Sequence, residues 1–152
     1  MNFRGINNLA LDTKGRMAMP ARYRDRLAEI SQGQLVVTVD QDRCLLVYPQ
    51  PEWEKIEAQL NALPSFDRTA RELQRLLVGH ATETELDSQG RILLPTMLRE
   101  YARLDKKIVL IGQGKKFEIW DEQVWTDRQS GVLDKVNAVD GPVPAALANL
   151  SL

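Results

Sequence analysis

Leu11-Asp12-Thr13-Lys14-Gly15-Arg16-Met17-Ala18-Met19-Pro20 lines up, without a gap, on Leu86-Asp87-Ser88-Gln89-Gly90-Arg91-Ile92-Leu93-Leu94-Pro95. The leucines, aspartates, glycines, arginines and prolines coincide, and Arg24 falls on Arg99 further along. After a three-residue shortening, Val36-Val37-Thr38-Val39 matches Ile108-Val109-Leu110-Ile111, Tyr48 falls on Trp120, and Trp53 falls on Trp125. Three matching blocks in the same order mark a unit present twice.

Each copy can be read locally. Asp at the first turn position accepts a backbone N–H, and Gly at the fourth supplies φ > 0, so Asp-x-x-Gly-Arg predicts a type I turn with a glycine bulge, closing a hairpin. Leu9 and Leu11 alternate before the first turn and Met17 and Met19 after it, as half-buried strands require. Pro20 and Pro95 suit the first turn of a helix, and Tyr23, Leu27 and Ile30 give the first such helix an apolar stripe. Two further hairpins are expected, from Leu35–Val39 with Cys44–Tyr48 and from Ile108–Ile111 with Phe117–Trp120.

Between the copies a helical insert is expected. Trp53, Ile56, Leu60 and Leu63 form one face; after Pro64, Ser65 caps a second helix carrying Phe66, Ala70, Leu73 and Leu77 and ending near Gly79. Periodicity is lost after Val132. Gly141-Pro142-Val143-Pro144 reads as a loose tail, with a short helix over Ala145–Leu150. A single repeat is too small to bury a stable core, so two copies are expected to complete each other as a pseudo-twofold, duplicated β-hairpin barrel of the α+β class with flanking helices.

The 152 residues are 43% hydrophobic and 27% charged, as in a soluble globular protein, and contain no apolar run long enough to span a membrane. The start Met1-Asn2-Phe3-Arg4 lacks an apolar signal core, and the single Cys44 lies in an apolar run, so a buried thiol in a reducing cytoplasm is expected. The net charge of −1 conceals a division. Arg4, Lys14, Arg16, Arg22, Arg24 and Arg26 face only Asp12 and Asp25 in the first 26 residues. Residues 118–152 carry six acidic groups against Arg128 and Lys135. A basic head and an acidic tail permit a polyanion-binding face without requiring one.

Catalytic chemistry is not expected. One histidine, His80, beside Gly79 reads as a helix-terminal, partly buried residue; one His and one Cys cannot make the usual zinc sets; and Gly112-Gln113-Gly114 is a hairpin tip without the helix of a phosphate loop. Asp40 and Asp42 read as turn residues, so no metal, cofactor or small-molecule ligand is expected. The positive candidates are the two repeated turns. Lys14, Gly15 and Arg16 stand on one, Gln89, Gly90 and Arg91 on the other, with Asp12 and Asp87 fixing their shape. Arginine on a tight turn can fork onto a guanine edge or a phosphate while glycine lets the backbone approach; equally, each Asp–Arg pair can be an internal salt bridge. Arg68, Arg71 and Arg75 follow helical spacing but are interleaved with Asp67 and Glu72, as on a solvated face. Tyr48, Trp53, Trp120 and Trp125 read as core or interface aromatics.

At these residues the chain resembles the MraZ family of bacterial transcriptional regulators. The two Asp-x-x-x-Arg motifs carry the resemblance. So do Phe3-Arg4-Gly5, Tyr48-Pro49-x-Pro51-Glu52-Trp53, Arg75-Leu76-Leu77-Val78-Gly79-His80-Ala81 and Phe117-Glu118-Ile119-Trp120-Asp121, so that about residues 1–130 are covered. The resemblance implies two AbrB-like swapped-hairpin DNA-binding domains at about 5–52 and 81–124, with a helical insert at 53–80 and a C-terminal helix and tail at 125–152. It implies a cytoplasmic, nucleoid-associated regulator that forms rings and binds repeated boxes in double-stranded DNA upstream of the division and cell-wall gene cluster, its own gene included. By motif match Lys14 and Arg16 would contact DNA, with Arg91 their counterpart; Gln89 in place of the basic residue makes the second motif less cationic. A protein-interaction or antitoxin-like scaffold with incidental DNA contact is the competing reading.

Overall fold

The computed structural model describes residues 2–138 and 144–151. It divides into two units, residues 1–122 and 123–152. In the first unit the chain runs β1 (Phe3–Ala10), β2 (Arg16–Ala18), α1 (Ala21–Ser31), β3 (Gln34–Val39), β4 (Leu45–Pro49), α2 (Gln50–Asn61) and α3 (Arg68–Leu77). The second copy follows as β5 (Thr82–Glu85), β6 (Arg91–Leu93), α4 (Thr96–Tyr101), β7 (Lys107–Gly114) and β8 (Lys116–Asp121). The second unit carries α5 (Glu122–Ser130, which begins at the boundary), α6 (Val132–Asn137) and α7 (Ala145–Ala148).

Six strands form an antiparallel sheet in the order β1-β7-β8-β4-β3-β5. The order is a palindrome of the two repeats, with the hairpins β3–β4 and β7–β8 meeting at the centre along β4 and β8. The first strand of each repeat lies on the hairpin of the other: β1 pairs with β7 from Phe3↔Gly114 to Ala10↔Lys107, and β5 pairs with β3. Strands β2 and β6 leave the sheet and pair only with each other, Met17 opposite Ile92. These two short strands would have to close a circle, but they lie over the sheet instead. The expected barrel is therefore an open sheet, with β1 and β5 at its edges, beside a two-stranded ribbon. The expected hairpin across each Asp-x-x-Gly-Arg turn is corrected for the same reason. Each turn is a corner between sheet and ribbon, where only the Asp N–H bonds across to the Arg carbonyl, as from Asp12 to Arg16 at 3.0 Å, and the other backbone bond stays within the loop.

Alternation in the strands gives the sheet two apolar faces. Leu35, Val37, Val39, Leu45 and Val47 point with Ile108, Leu110, Phe117 and Ile119 to one face, where Met17, Met19, Ile92 and Leu94 of the ribbon region and Tyr23, Leu27 and Leu98 of the helices cover them. Val36, Leu46 and Tyr48 point to the other face, beneath Trp53 and Leu60 of α2 and Leu77 near the end of α3. Each fully buried aliphatic or methionine side chain contributes about 1.5–3 kcal/mol. The fully buried Met17 and Ile92 therefore clamp the ribbon to the sheet although each of its strands has only three residues.

The insert differs in detail from its sequence reading. Asp67, not Ser65, caps α3, its carboxylate accepting the Ala70 N–H at 3.0 Å. Phe66 precedes the helix and is fully exposed, because starting one residue after Asp67 leaves it outside the apolar stripe. Thr38 is buried and its hydroxyl donates to the Leu77 carbonyl, which pins the last turn of α3 to the sheet. In the second unit α6 follows Val132 where no periodicity was expected, and α7 covers the first part of the expected Ala145–Leu150 helix. Of the expected loose tail, Gly141–Val143 lie outside the described residues.

Candidate nucleic-acid interface

The two repeated turns have the same internal architecture. In the first, the Gly15 N–H donates to the Asp12 carbonyl at 3.1 Å, and Asp12 Oδ1 accepts the Lys14 and Arg16 N–H groups at 2.9 and 2.8 Å. Asp12 Oδ2 accepts Arg16 Nε at 2.6 Å. In the second, Gly90 donates to the Asp87 carbonyl, Asp87 Oδ1 accepts the Gln89 and Arg91 N–H groups at 2.9 Å each, and Oδ2 accepts Arg91 Nε at 2.9 Å. Gly15 and Gly90 take φ of 85° and 75°, the left-handed region the turn requires. One carboxylate thus shapes each loop and holds its arginine.

That arrangement lowers the pKa of both aspartates. The Arg16 backbone N–H, helped by the Arg16 side chain and the Lys14 N–H and opposed by partial desolvation, brings Asp12 down to about 2. Asp87 is lowered for the same reasons, the Arg91 backbone N–H first. Both carboxylates are therefore ionised throughout the neutral range.

The salt bridge does not exhaust either arginine. Only Nε of Arg16 and of Arg91 is engaged; their terminal nitrogens have no protein acceptor among the described residues. Both side chains are 28% exposed. The ribbon register places Arg16 opposite Leu93 and Arg91 opposite Ala18, so the two arginines share the outward face as diagonal neighbours, their Cα atoms about 7–8 Å apart. Lys14 and Gln89 are exposed on the two loops.

Each turn is completed by the other repeat. The Gly15 carbonyl accepts the Leu94 N–H at 3.0 Å, and the Gly90 carbonyl accepts the Met19 N–H at 2.9 Å. A Cβ on Gly15 would lie 2.5 Å from Cζ of Arg99, and one on Gly90 would collide with Arg24 Nε. Arg99 is held there by Nε on the Leu94 carbonyl and Nη2 on Thr96 Oγ1; Arg24 is held by Nε on the Met19 carbonyl at 2.6 Å. Sequence reasoning matched Arg24 with Arg99 but gave neither a place in the site. Their common spacing, four residues after Pro20 and Pro95, was the signal that they serve equivalent turns. The interface so assembled carries Lys14, Arg16, Arg24, Arg91 and Arg99 against Asp12 and Asp87. Beside the first turn opens a groove of about 560 Å³ lined by Leu11, Asp12, Thr13, Arg99, Leu104, Asp105 and Lys106.

The other candidates have structural roles here. His80 Nδ1 lies 2.7 Å from the Leu76 carbonyl, half-buried beside Tyr101. Asp40 accepts the Asp42 N–H and its carbonyl accepts Arg43, as a turn residue does. Asp40, Cys44 and Glu118 lie close enough to share a cation, but burial pushes the Cys44 thiol well above its ordinary range, against the thiolate a metal needs. Tyr48 and Trp53 pack with tilted rings in the core beneath α2 at 5.5 Å between ring centres, and Trp120 is buried. Arg68, Arg71 and Arg75 are exposed. Among the described residues no helix is long and apolar enough to cross a membrane.

The chain matches, over residues 2–76 and again over 77–135, the model of a family described as "MraZ protein, putative antitoxin-like". It is 62% identical over 150 residues to a protein of Thioalkalivibrio sulfidiphilus named transcriptional regulator MraZ, covering 99% of both chains. Proteins of the same name from Halorhodospira halophila and Coxiella burnetii are 52% and 51% identical over 151 and 152 residues, again covering 99% of both chains. The chain belongs to the MraZ family.

Proposed function

We propose that this protein is a DNA-binding transcriptional regulator that reads double-stranded DNA through the turns at Asp12–Arg16 and Asp87–Arg91. The observation that carries the reading is the anchored guanidinium: Nε of Arg16 is spent on Asp12 while its terminal nitrogens have no protein acceptor among the described residues. A guanidinium held this way presents the two parallel donors that match O6 and N7 of guanine or two phosphate oxygens, and its rotamer entropy is already spent. The names of the relatives support the regulatory role.

On this reading Lys14, Gly15 and Arg16 are the principal contacts, Gly90 and Arg91 the secondary ones, and Asp12 and Asp87 orient them. The two repeats, about 5–52 and 81–124, form an AbrB-like swapped-hairpin pair; the exchange of β1 and β5 supports that assignment. The protein acts as a cytoplasmic, nucleoid-associated repressor on repeated boxes upstream of the division and cell-wall gene cluster, including its own gene. It does so as a ring-like homo-oligomer, because a protomer of net charge −1 gains phosphate contacts and effective concentration when several basic turns are displayed together.

Footprinting of the purified protein on the DNA upstream of its own gene tests this. Regularly spaced protected boxes are expected. Weak protection without sequence preference would instead favour a protein-interaction scaffold, the reading to which the antitoxin-like description of the family model points.

A further inference from the structure

We propose that the groove beside the first turn seats a phosphate of the DNA backbone, held by Arg99 and Lys106 of the second repeat while Lys14 and Arg16 of the first repeat address the bases. The inference rests on the DNA-binding reading above and adds to it a second class of contact, supplied across the repeats.

Three observations carry it. The groove adjoins the reading turn itself, lined by Asp12 and Thr13 of the first repeat and by Arg99, Asp105 and Lys106 of the second, and its volume of about 560 Å³ lies within the range of small-molecule sites. Arg99 is fixed rather than mobile. Nε and Nη2 are bonded to the Leu94 carbonyl and to Thr96 Oγ1, and its guanidinium lies against Gly15, where any Cβ would displace it. Its Nη1 group has no protein acceptor among the described residues, and Lys106 is exposed with no ion pair among them.

The acidic members of the lining do not cancel this. Asp12 is consumed by Arg16 and two backbone N–H groups. Asp105 accepts the Lys106 backbone N–H through Oδ1, which leaves Oδ2 as the residual negative charge opposite the bound phosphate. The carbonyl of Lys106 accepts the Leu11 N–H at 2.8 Å, so the lysine backbone is locked to the strand end that enters the turn. A phosphate in the groove would therefore sit at a fixed offset from the bases below Arg16. Phosphate contacts of this kind set register and affinity without reading sequence.

The test measures binding of the full-length chain across a salt series to two duplexes, one covering the region upstream of its own gene and one of the same length and shuffled sequence. Lys106→Gln is expected to weaken binding about three- to tenfold on both duplexes and to reduce the salt slope by about one. Asp105→Asn is expected to strengthen both. Arg99→Lys, which keeps the charge, is expected to keep the salt slope, whereas Arg99→Gln is expected to reduce it by about one. Arg16→Ala is expected to collapse the preference between the two duplexes. Unchanged affinity and slope in Lys106→Gln, with Arg16→Ala still abolishing the preference, would overturn the phosphate site and leave the reading turn standing. If Arg16→Ala also changed nothing, the DNA-binding reading itself would fall. Melting temperatures near the parent value confirm that each variant is folded.

Discussion

The two turns share one scaffold and differ in what they display. Asp12 and Asp87 accept the same four hydrogen bonds, Gly15 and Gly90 both take left-handed φ, and each glycine is covered by an arginine from the opposite repeat. Inside the ribbon Met17 and Met19 are replaced by Ile92 and Leu94, which stay buried and apolar, while the differences in charge and polarity lie at exposed positions. Lys14 faces Gln89 across the comparison, and Ala18 on the ribbon's outward face is matched by Leu93, which is 51% exposed. Groups that build a turn are constrained by geometry; groups that stand on it are free to diverge in charge and polarity. The first turn therefore carries one more cation, and the exposed Leu93 of the second copy lies directly opposite Arg16 on the ribbon.

The comparison is broken most severely through the glycines. Gly15→Ala and Gly90→Ala should each cost about 2–3 kcal/mol of stability, combining left-handed strain with displacement of Arg99 or Arg24. Gly114→Ala at a hairpin tip, with φ 76° and open space around it, should cost only about 1 kcal/mol, from backbone strain alone. Chemical denaturation of the three variants checks the ranking, and equal losses would remove the claim that the repeats complete each other's turns.

Next in size is the binding asymmetry. Arg16→Ala should weaken specific DNA binding by about 1–3 kcal/mol, and Arg91→Ala by less, in titrations at fixed salt. An equal or larger loss in Arg91→Ala would reverse the roles of the two turns. Gln89→Lys sharpens the same contrast from the other side. It should restore the missing charge, tighten binding about threefold at low salt, and steepen the salt slope by about one.

The smallest effect is in acid. Asp12 has a folded value of about 2 against an ordinary 3.8, so the unfolded chain binds its proton first as pH falls. The stability contributed by the ionised carboxylate is fully present above pH 4 and is lost as pH drops through about 2. Asp12→Asn should therefore flatten the acid-unfolding curve between those limits, while leaving Asp87 to contribute in the same direction. Superimposable curves, followed by circular dichroism, would show that Asp12 does not couple to folding.

How much of this was legible in the chain follows from the range of the forces involved. The duplication, the two turns, the Asp–Arg pairs and the hairpins β3–β4 and β7–β8 depend on neighbours a few residues apart, and all are written in local pattern. Strand exchange is not. Nothing in Phe3–Ala10 says that its partner is β7 and not its own β2, since both offer alternating apolar residues. The barrel expectation failed at that point. Phe66 was misplaced because Ser65 and Asp67 are both able to cap a helix, and the choice between them moves a large aromatic from core to solvent. Arg24 and Arg99 had a visible repeat spacing, but their place over the opposite glycines becomes apparent only once the ribbon is assembled.

The exchanged edge strands also have a consequence for synthesis. β1 is made first and its partner β7 among the last strands, with Phe3 waiting for Gly114. Until then the emerging first copy has an unclosed sheet, and its turn lacks both Arg99 and the Leu94 N–H. Such distant pairing makes folding slow and leaves apolar edges uncovered meanwhile. A ribosome midway through this message holds a chain that can neither bind DNA nor bury its core. The last turn of the sheet to arrive sets the moment at which a new molecule becomes competent.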